Sequence, residues 1–332
     1  MTDAEIDELA RRLGAGERRA LAQAITLAES SRTDHRAATR ALIERLGPAP
    51  QGTLRIGLSG TPGVGKSTFI EALGLMLVEQ GLKLAVLAVD PSSTRSGGSI
   101  LGDKTRMPRL ARETRAFIRP SPSQSELGGV ARRTREAIRL AEAAGFDVVI
   151  VETVGVGQSE VMVAEMTDVF VLLLAPAGGD ELQGVKRGIM EIADLVVINK
   201  ADGGLKPVAE ATAAEYAAAL RLMRHRRRDP EGFPAAMTAS ALEGARLGEV
   251  WERIRGLEAW RRETGWFADN RATQAVRWLR RALEQGAIEA LYACPGVAGK
   301  LAEAERAVAE GRGAPEEAAE ELLALFRGTG PA

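Results

Sequence analysis

The chain has 332 residues, enough for one large domain with extensions, and its 44 Lys+Arg stand against 45 Asp+Glu. A formal net charge of -1 supplies no global field for nucleic acid or a membrane surface, and no apolar run reaches membrane-spanning length. The single cysteine, Cys294, excludes an intramolecular disulfide framework and a paired-cysteine metal clamp, and neither His35 nor His225 has a metal-ligand neighbour in sequence.

Residues 1–50 read as a helical extension. Thr2 and Glu5 can form a capping box, and Ile6, Leu9 and Leu13 share one face of the helix that follows. A second helix is expected from Glu17 to Glu29. A third, from Arg36 to Leu46, stops at Gly47-Pro48-Ala49-Pro50. From 51 to 262 apolar runs alternate with helical stretches, with strands near 54–59, 84–89, 115–119, 147–152, 169–175, 195–199 and 235–239. Most of these runs are apolar throughout, as strands covered on both faces are. The expected fold is α/β, a P-loop NTPase with a mainly parallel sheet between helices and right-handed crossovers. The basic run Arg224 to Arg228 reads as a solvated loop. Residues 263–332 form a helical arm with an apolar face at Ala272, Val276, Leu279, Leu283 and Leu291, suited to dimerisation. No secretory apolar segment stands near Met1, so a cytoplasmic location, or an organelle matrix after processing, is expected.

The first strand runs into Gly60-Thr61-Pro62-Gly63-Val64-Gly65-Lys66-Ser67-Thr68, the phosphate-loop pattern G-x-x-x-x-G-K-[ST]. Its glycines let backbone N–H groups curl around phosphates, Lys66 reaches the β/γ oxygens, and the Ser67 hydroxyl can ligate Mg²⁺. Gly63, Val64, Gly65, Lys66, Ser67 and Thr68 are therefore the expected phosphate contacts. Strand, loop and helix provide the context the pattern requires.

A second string, Asn199-Lys200-Ala201-Asp202, lies at the carboxyl end of the apolar run 195–198. A carboxylate at Asp202 accepts from guanine N1–H and the 2-amino group, whereas adenine offers neither donor. A loss of paired contacts of that kind discriminates by roughly 10⁴-fold. Ser240-Ala241-Leu242, after the last strand, resembles the backbone loop by which GTPases contact the base. GTP is thus the expected nucleotide, read by Asn199, Lys200, Asp202, Ser240, Ala241 and Leu242.

Bound phosphates carry Mg²⁺, so acids are expected at strand ends. Asp90 follows one strand and Glu152 ends another, a hydrophobic strand plus acid in the Walker B manner. Gly155 can turn its N–H toward the γ-phosphate. The glycine- and serine-rich stretch Ser92 to Met107 contains Asp103, which can close on the metal when GTP is present. Ser67, Asp90, Asp103 and Glu152 make up the expected metal set. An acid ending the strand after the phosphate-loop helix resembles the GTPase class of signal-recognition GTPases and metallochaperones. The nickel metallochaperones carry His- or Cys-rich ligands that this chain lacks.

Three strings, Val89-Asp90-Pro91-Ser92-Ser93, Ser96 to Met107 and Glu152-Thr153-Val154-Gly155-Val156-Gly157-Gln158-Ser159, resemble the methylmalonyl-CoA mutase-associated GTPase chaperones. Bacterial members of that family were once described as arginine/ornithine-transport ATPases or kinases. The resemblance covers nearly the whole chain. It implies a Mg²⁺-dependent GTPase that converts GTP to GDP and phosphate. It further implies a homodimer that gates cofactor loading or protection of an adenosylcobalamin-dependent acyl-CoA mutase. No bound cobalamin is expected in the GTPase itself, and neither nucleic acid nor membrane is an expected partner. Lys66, Glu152 and Gly155 are the expected catalytic residues, and the resemblance implies that the segment Pro176 to Lys186 couples partner binding to hydrolysis, with Asp180, Gln183 and Lys186 as candidates. Gln158 lies three residues beyond Gly155, a spacing unlike that of the Ras-like glutamine. Two other readings stay open: a kinase using the same phosphate loop, and an adaptor that the nucleotide merely stabilises.

Overall fold

The computed structural model describes residues 1–48, 50–89, 106–120, 127–153, 159–176, 187–222 and 229–328. Chain contacts divide it into two compact units, Met1–Ala272 and Thr273–Ala332.

The first unit begins with α1 (Asp3–Gly14), α2 (Arg18–Glu29) and α3 (Thr33–Arg45). The expected capping box is present: Thr2 Oγ1 accepts from Glu5 N at 3.3 Å, and Glu5 Oε2 accepts from Thr2 N at 2.7 Å. Ile6, Leu9 and Leu13 are buried on α1, and Leu21, Ala24 and Ile25 on α2. Each large apolar side chain so buried contributes about 1.5–3 kcal/mol. Arg119 reaches back from the sheet to pair with Glu29, tying α2 to the strand ends. The third helix starts at Thr33, three residues before its expected start, because charged and small residues there give no apolar marker for its first turn.

Among the described residues seven strands follow: β1 (Leu54–Gly60), β2 (Leu84–Val89), β3 (Ala116–Arg119), β4 (Val148–Thr153), β5 (Val169–Leu174), β6 (Leu195–Ile198) and β7 (Ala235–Thr238). They form one sheet in the order β3-β2-β4-β1-β5-β6-β7, and every pairing is parallel. Strands β1, β2, β4, β5 and β6 are buried along their full length, which accounts for their mainly apolar sequences; Arg55 and Ser59 in β1 and Glu152 and Thr153 in β4 are the buried polar exceptions. Among the described residues the α-helices between them are α4 (Lys66–Glu79), α5 (Leu127–Ala143), α6 (Ser159–Ala164), α7 (Arg187–Ile192) and α8 (Lys206–Leu222), with α9 (Leu247–Glu263) after β7. The α/β class with a parallel sheet between helices is thus as the sequence implies.

A repeated device sets the strand register. Asp147, Asp168 and Asp194 each stand one residue before β4, β5 and β6. The carboxylates accept from Lys83 N, Arg55 N and Phe170 N, each at 2.8 Å, at the start of a neighbouring strand. Around two of them lies a buried ionic network. Arg55 pairs with Glu142 at 2.7 Å, and Arg271 pairs with Asp168 at 2.7 Å. Arg261 joins Asp194 at 2.7 Å and Asp229 at 2.6 Å, and its guanidinium stacks on Trp266, 4.3 Å from the ring centroid.

The helix α10 (Trp266–Ala293) is followed, within the second unit, by α11 (Pro295–Ala309) and α12 (Pro315–Phe326), which pack on each other. Apolar side chains stand exposed on α10 at Val276, Leu279, Leu283, Ile288 and Tyr292.

Candidate nucleotide site

In this strand order, chain from β1 passes to one side of the sheet and later chain to the other. Open α/β sheets bind ligands at the carboxyl ends of strands flanking such a reversal. The phosphate loop leaves β1 at that point. Gly65 is the N-cap of α4 with φ 90° and ψ 32°, a left-handed geometry open to glycine, and a Cβ there would lie 2.9 Å from Asn199 Nδ2. No described side chain caps α4, so its first-turn N–H groups remain available to an anion. Val64 is buried beneath the loop, while Gly63 and Thr68 are exposed and Ser67 is half-buried.

Lys66 folds back over the loop, donating from Nζ to the carbonyls of Gly60 at 2.6 Å and Thr61 at 3.2 Å. Burial holds its pKa below the ordinary lysine value, against the opposing pull of Glu152. Glu152 is buried near the end of β4, in register with Leu58 of β1 and Ala88 of β2. The next residue, Thr153, donates from Oγ1 to Ser59 Oγ at 2.8 Å and closes β4 against β1 just below the loop. Lys66, Ser67 and Glu152 therefore converge around the first turn of α4. Asp90, Asp103, Gly155, Asp180, Gln183 and Lys186 lie outside the described residues.

The base-reading strings meet the same end of the sheet. Asn199 is only 2% exposed, and both ends of its amide are engaged. Its Nδ2 donates to Val64 O at 2.9 Å, and its Oδ1 accepts from Ala241 N at 3.0 Å. The side chain thus ties the phosphate loop to the loop after β7. Lys200 takes φ 60°, and its Cε would lie 4.0 Å from a Cβ on Gly65, so its aliphatic stem runs beside the phosphate loop. Ser240 Oγ donates to Asp202 Oδ2 at 2.5 Å and accepts from Glu243 N at 3.1 Å. Asp202 Oδ1 has no hydrogen-bond partner among the described residues and is the oxygen open to a ligand donor. Leu242 is 79% exposed beside this loop. The expected base contacts Lys200, Asp202, Ser240, Ala241 and Leu242 are thereby brought together, with Asn199 as the splice that holds them to the phosphate end.

A cavity of about 540 Å³ lies elsewhere, along the open sheet edge at β7, lined by Ala213, Ala217, Ala236, Met237 and Arg246 among others. None of the expected nucleotide contacts lines it. The motifs and the strand ends mark the site, not the volume of that groove.

The model of the family described as "Methylmalonyl Co-A mutase-associated GTPase MeaB" matches residues 21–295. The chain belongs to that family. It is 52% identical over 322 residues to a "Putative GTPase" of Caulobacter vibrioides, covering 97% of this chain and 98% of that protein. It is 48% identical to the "Methylmalonic aciduria type A homolog, mitochondrial" of Mus musculus, covering 97% of this chain and 80% of the mouse protein. Among solved structures, one described as "LAO/AO transport system kinase" is similar at 39% identity with a TM-score of 0.75, covering 98% of this chain and 99% of that one. Family, fold and phosphate loop agree that the chain is a P-loop GTPase.

Two features of the site escape a reading of motifs alone. The Thr153–Ser59 contact joins residues 94 positions apart, and the Asn199–Val64 tie spans 135. Only strand order brings such pairs together. Asn199 carried a signal in the four-residue string, which located it without showing what it holds.

Proposed function

We propose that this GTPase is a nucleotide-gated chaperone of an adenosylcobalamin-dependent acyl-CoA mutase, gating cofactor loading or protection. The observation that carries the partner is the family match across residues 21–295, which spans the whole sheet and the site. In this reading the nucleotide's phosphates lie on the first-turn N–H groups of α4 with Lys66, and Asp202 receives the guanine donors. The donor set is one of hard oxygens, the Ser67 hydroxyl and the Glu152 carboxylate, with Asp90 and Asp103 as further candidates. Such donors suit Mg²⁺. When bound, Mg²⁺ would draw negative charge from the phosphate oxygens.

Hydrolysis follows from positioning. A water oxygen bonds to the γ-phosphorus, the bond to the β–γ bridging oxygen breaks, and its electron pair leaves on GDP. The water's proton passes to the released phosphate or to solvent. Lys66, freed from the Gly60 and Thr61 carbonyls, moves its charge onto the β/γ oxygens as the transition state forms. Gly155 would sense the γ-phosphate, and Asp180, Gln183 and Lys186 would pass partner binding to the site.

The exposed apolar positions Val276, Leu279 and Leu283 recur at helical spacing on α10 and support a homodimer through the C-terminal arm. A cytoplasmic setting is consistent with the absence, among the described residues, of a helix long and apolar enough to cross a membrane.

The test is retention of a cobalamin-dependent mutase on the immobilised protein loaded with GTP or with GDP. Retention that depends on the nucleotide is expected; no retention in either state removes the chaperone role. A second reading, phosphoryl transfer to an acceptor, takes its support from the solved relative described as a transport system kinase. Terminal-phosphate label found on a substrate instead of in free phosphate would favour it.

A further inference from the structure

We propose that the open edge of β7 receives an extended segment of a partner protein as an added strand, one whose side chains alternate between apolar and basic. None of the expected nucleotide contacts lines this edge, which therefore stands apart from hydrolysis.

The two edge strands of the sheet, β3 and β7, are finished differently. Ala116, Phe117 and Ile118 of β3 are buried, and Arg119 beside them is held by Glu29. Ala235, Ala236 and Met237 of β7 are half-buried. Apart from being short, β7 carries neither the charge nor the proline that blunts an exposed edge. Ala235 N donates to Asp194 O at 3.2 Å and Ala239 N to Ile198 O at 2.9 Å, so alternate residues of β7 turn their backbone groups toward β6. The N–H and C=O of Ala236 and Thr238 consequently face outward, with no hydrogen-bond partner among the described residues. Such a row of donors and acceptors is a template for one more strand. Groups spaced along a strand match another backbone better than they match a compact ligand.

The cavity of about 540 Å³ gives that strand room, with α8 and α9 as its walls. Glu210, Ala213, Ala214 and Ala217 recur at helical spacing and turn one face of α8 to the groove. The alanines leave space that a larger side chain would have filled, so strand residues pointing that way can be apolar. The α9 wall is charged. Arg246 is taken up by Glu249 at 2.7 Å and by Thr238 Oγ1 at 2.5 Å, and Arg253 lies over Phe233, 5.8 Å from the ring centroid. Glu252 lines the same wall, is exposed, and has no ion pair among the described residues. With Glu210, the groove sets three carboxylates against two guanidiniums. Successive side chains of a strand point to opposite faces, so one set meets the alanines while the other meets Glu252. A basic residue in the second set completes the charge.

The probe is a display library of random linear peptides, panned on the GDP-loaded protein with the Ala214→Trp and Ala217→Trp proteins as counter-selection. Ala214 is exposed, so its replacement obstructs the groove without entering the core. GDP affinity should match the parent in both variants. Recovered peptides should alternate apolar and basic residues and lose about tenfold or more of their affinity in either tryptophan variant. In Glu252→Lys the loss should be about 2–5-fold, as for an exposed ion pair. Synthetic copies methylated on alternate backbone nitrogens, in one phase or the other, separate main-chain pairing from side-chain contact. One phase should bind about tenfold or more weakly and the other as before. The proposal fails if no peptide prefers the parent to both tryptophan variants, if basic residues are not enriched, or if the two phases act alike. Loss of GDP affinity in a tryptophan variant would make the groove part of the nucleotide site and overturn it equally. If Ala214→Trp changes the protein's own association state in sedimentation, a second copy occupies the edge and the partner segment is refuted.

Discussion

Replacing Asn199 with alanine tests whether the two halves of the site are spliced by one side chain. The amide makes two buried hydrogen bonds, to Val64 O at 2.9 Å and from Ala241 N at 3.0 Å. Each such bond is worth about 1 kcal/mol net, and a backbone group left buried and unpaired costs about 1–3 kcal/mol. Together the substitution should cost about 2–4 kcal/mol. If the loops keep their places without the tie, the loss appears as a lower unfolding midpoint of the nucleotide-free protein. If they relax, the loss is recovered only when nucleotide reorders them, and GDP affinity falls by about 30- to 1000-fold. Titration calorimetry with GDP and thermal unfolding without it divide the two terms, whose sum is the predicted quantity. Asn199→Asp should do no better than alanine, because it sets a carboxylate oxygen against the Val64 carbonyl. An Asn199→Ala protein with parental GDP affinity and parental unfolding midpoint would refute the splice.

Further outcomes follow from the same geometry. Asp202→Asn keeps the size of the side chain but not its two acceptors, so discrimination of GTP over ATP should collapse from roughly 10⁴-fold toward unity; competition binding measures it, and unchanged preference would remove Asp202 from base reading. Arg261→Met strips the cation from buried Asp194 and Asp229 and should cost about 3–5 kcal/mol, lowering the unfolding midpoint by roughly 5–10 °C. A midpoint within about 1–2 °C (about 1 kcal/mol) of the parent would show the network to be dispensable. Lys66→Ala should abolish turnover, and the stability difference from the parent should depend on pH. Because burial lowers the Lys66 pKa, the folded chain gives up that proton before the unfolded chain does, so parental stability rises relative to the variant as pH climbs from the lowered value to the ordinary lysine value. Denaturant midpoints across the alkaline range would show a widening or a flat difference, the flat result refuting a buried, charged Lys66.

Much of this arrangement is legible in the chain itself, for a physical reason. Strands covered on both faces must be apolar throughout, so runs such as Val148-Val149-Ile150-Val151 announce themselves, and all seven strands stand within a residue or two of their expected bounds. Phosphate and base loops are equally visible, since backbone approach and guanine donors demand particular residues at fixed spacing. The buried ions are different. Arg55 and Glu142 are 87 positions apart, and a charged residue in an apolar strand gives no sign of which partner neutralises it. Asn199 shows the same limit within the site, because its identity marks the loop while its partners depend on the order of strands.

The aspartates that open β4, β5 and β6 bear on how such an enzyme can change over evolution. They lock the strands together at the end of the sheet remote from guanine and phosphate, so alignment does not depend on the loops that carry chemistry. Sequence drift around the nucleotide can then retune turnover while the framework stays keyed from behind. Loosening one of those acidic clasps should instead harm folding yield without first altering which nucleotide is preferred.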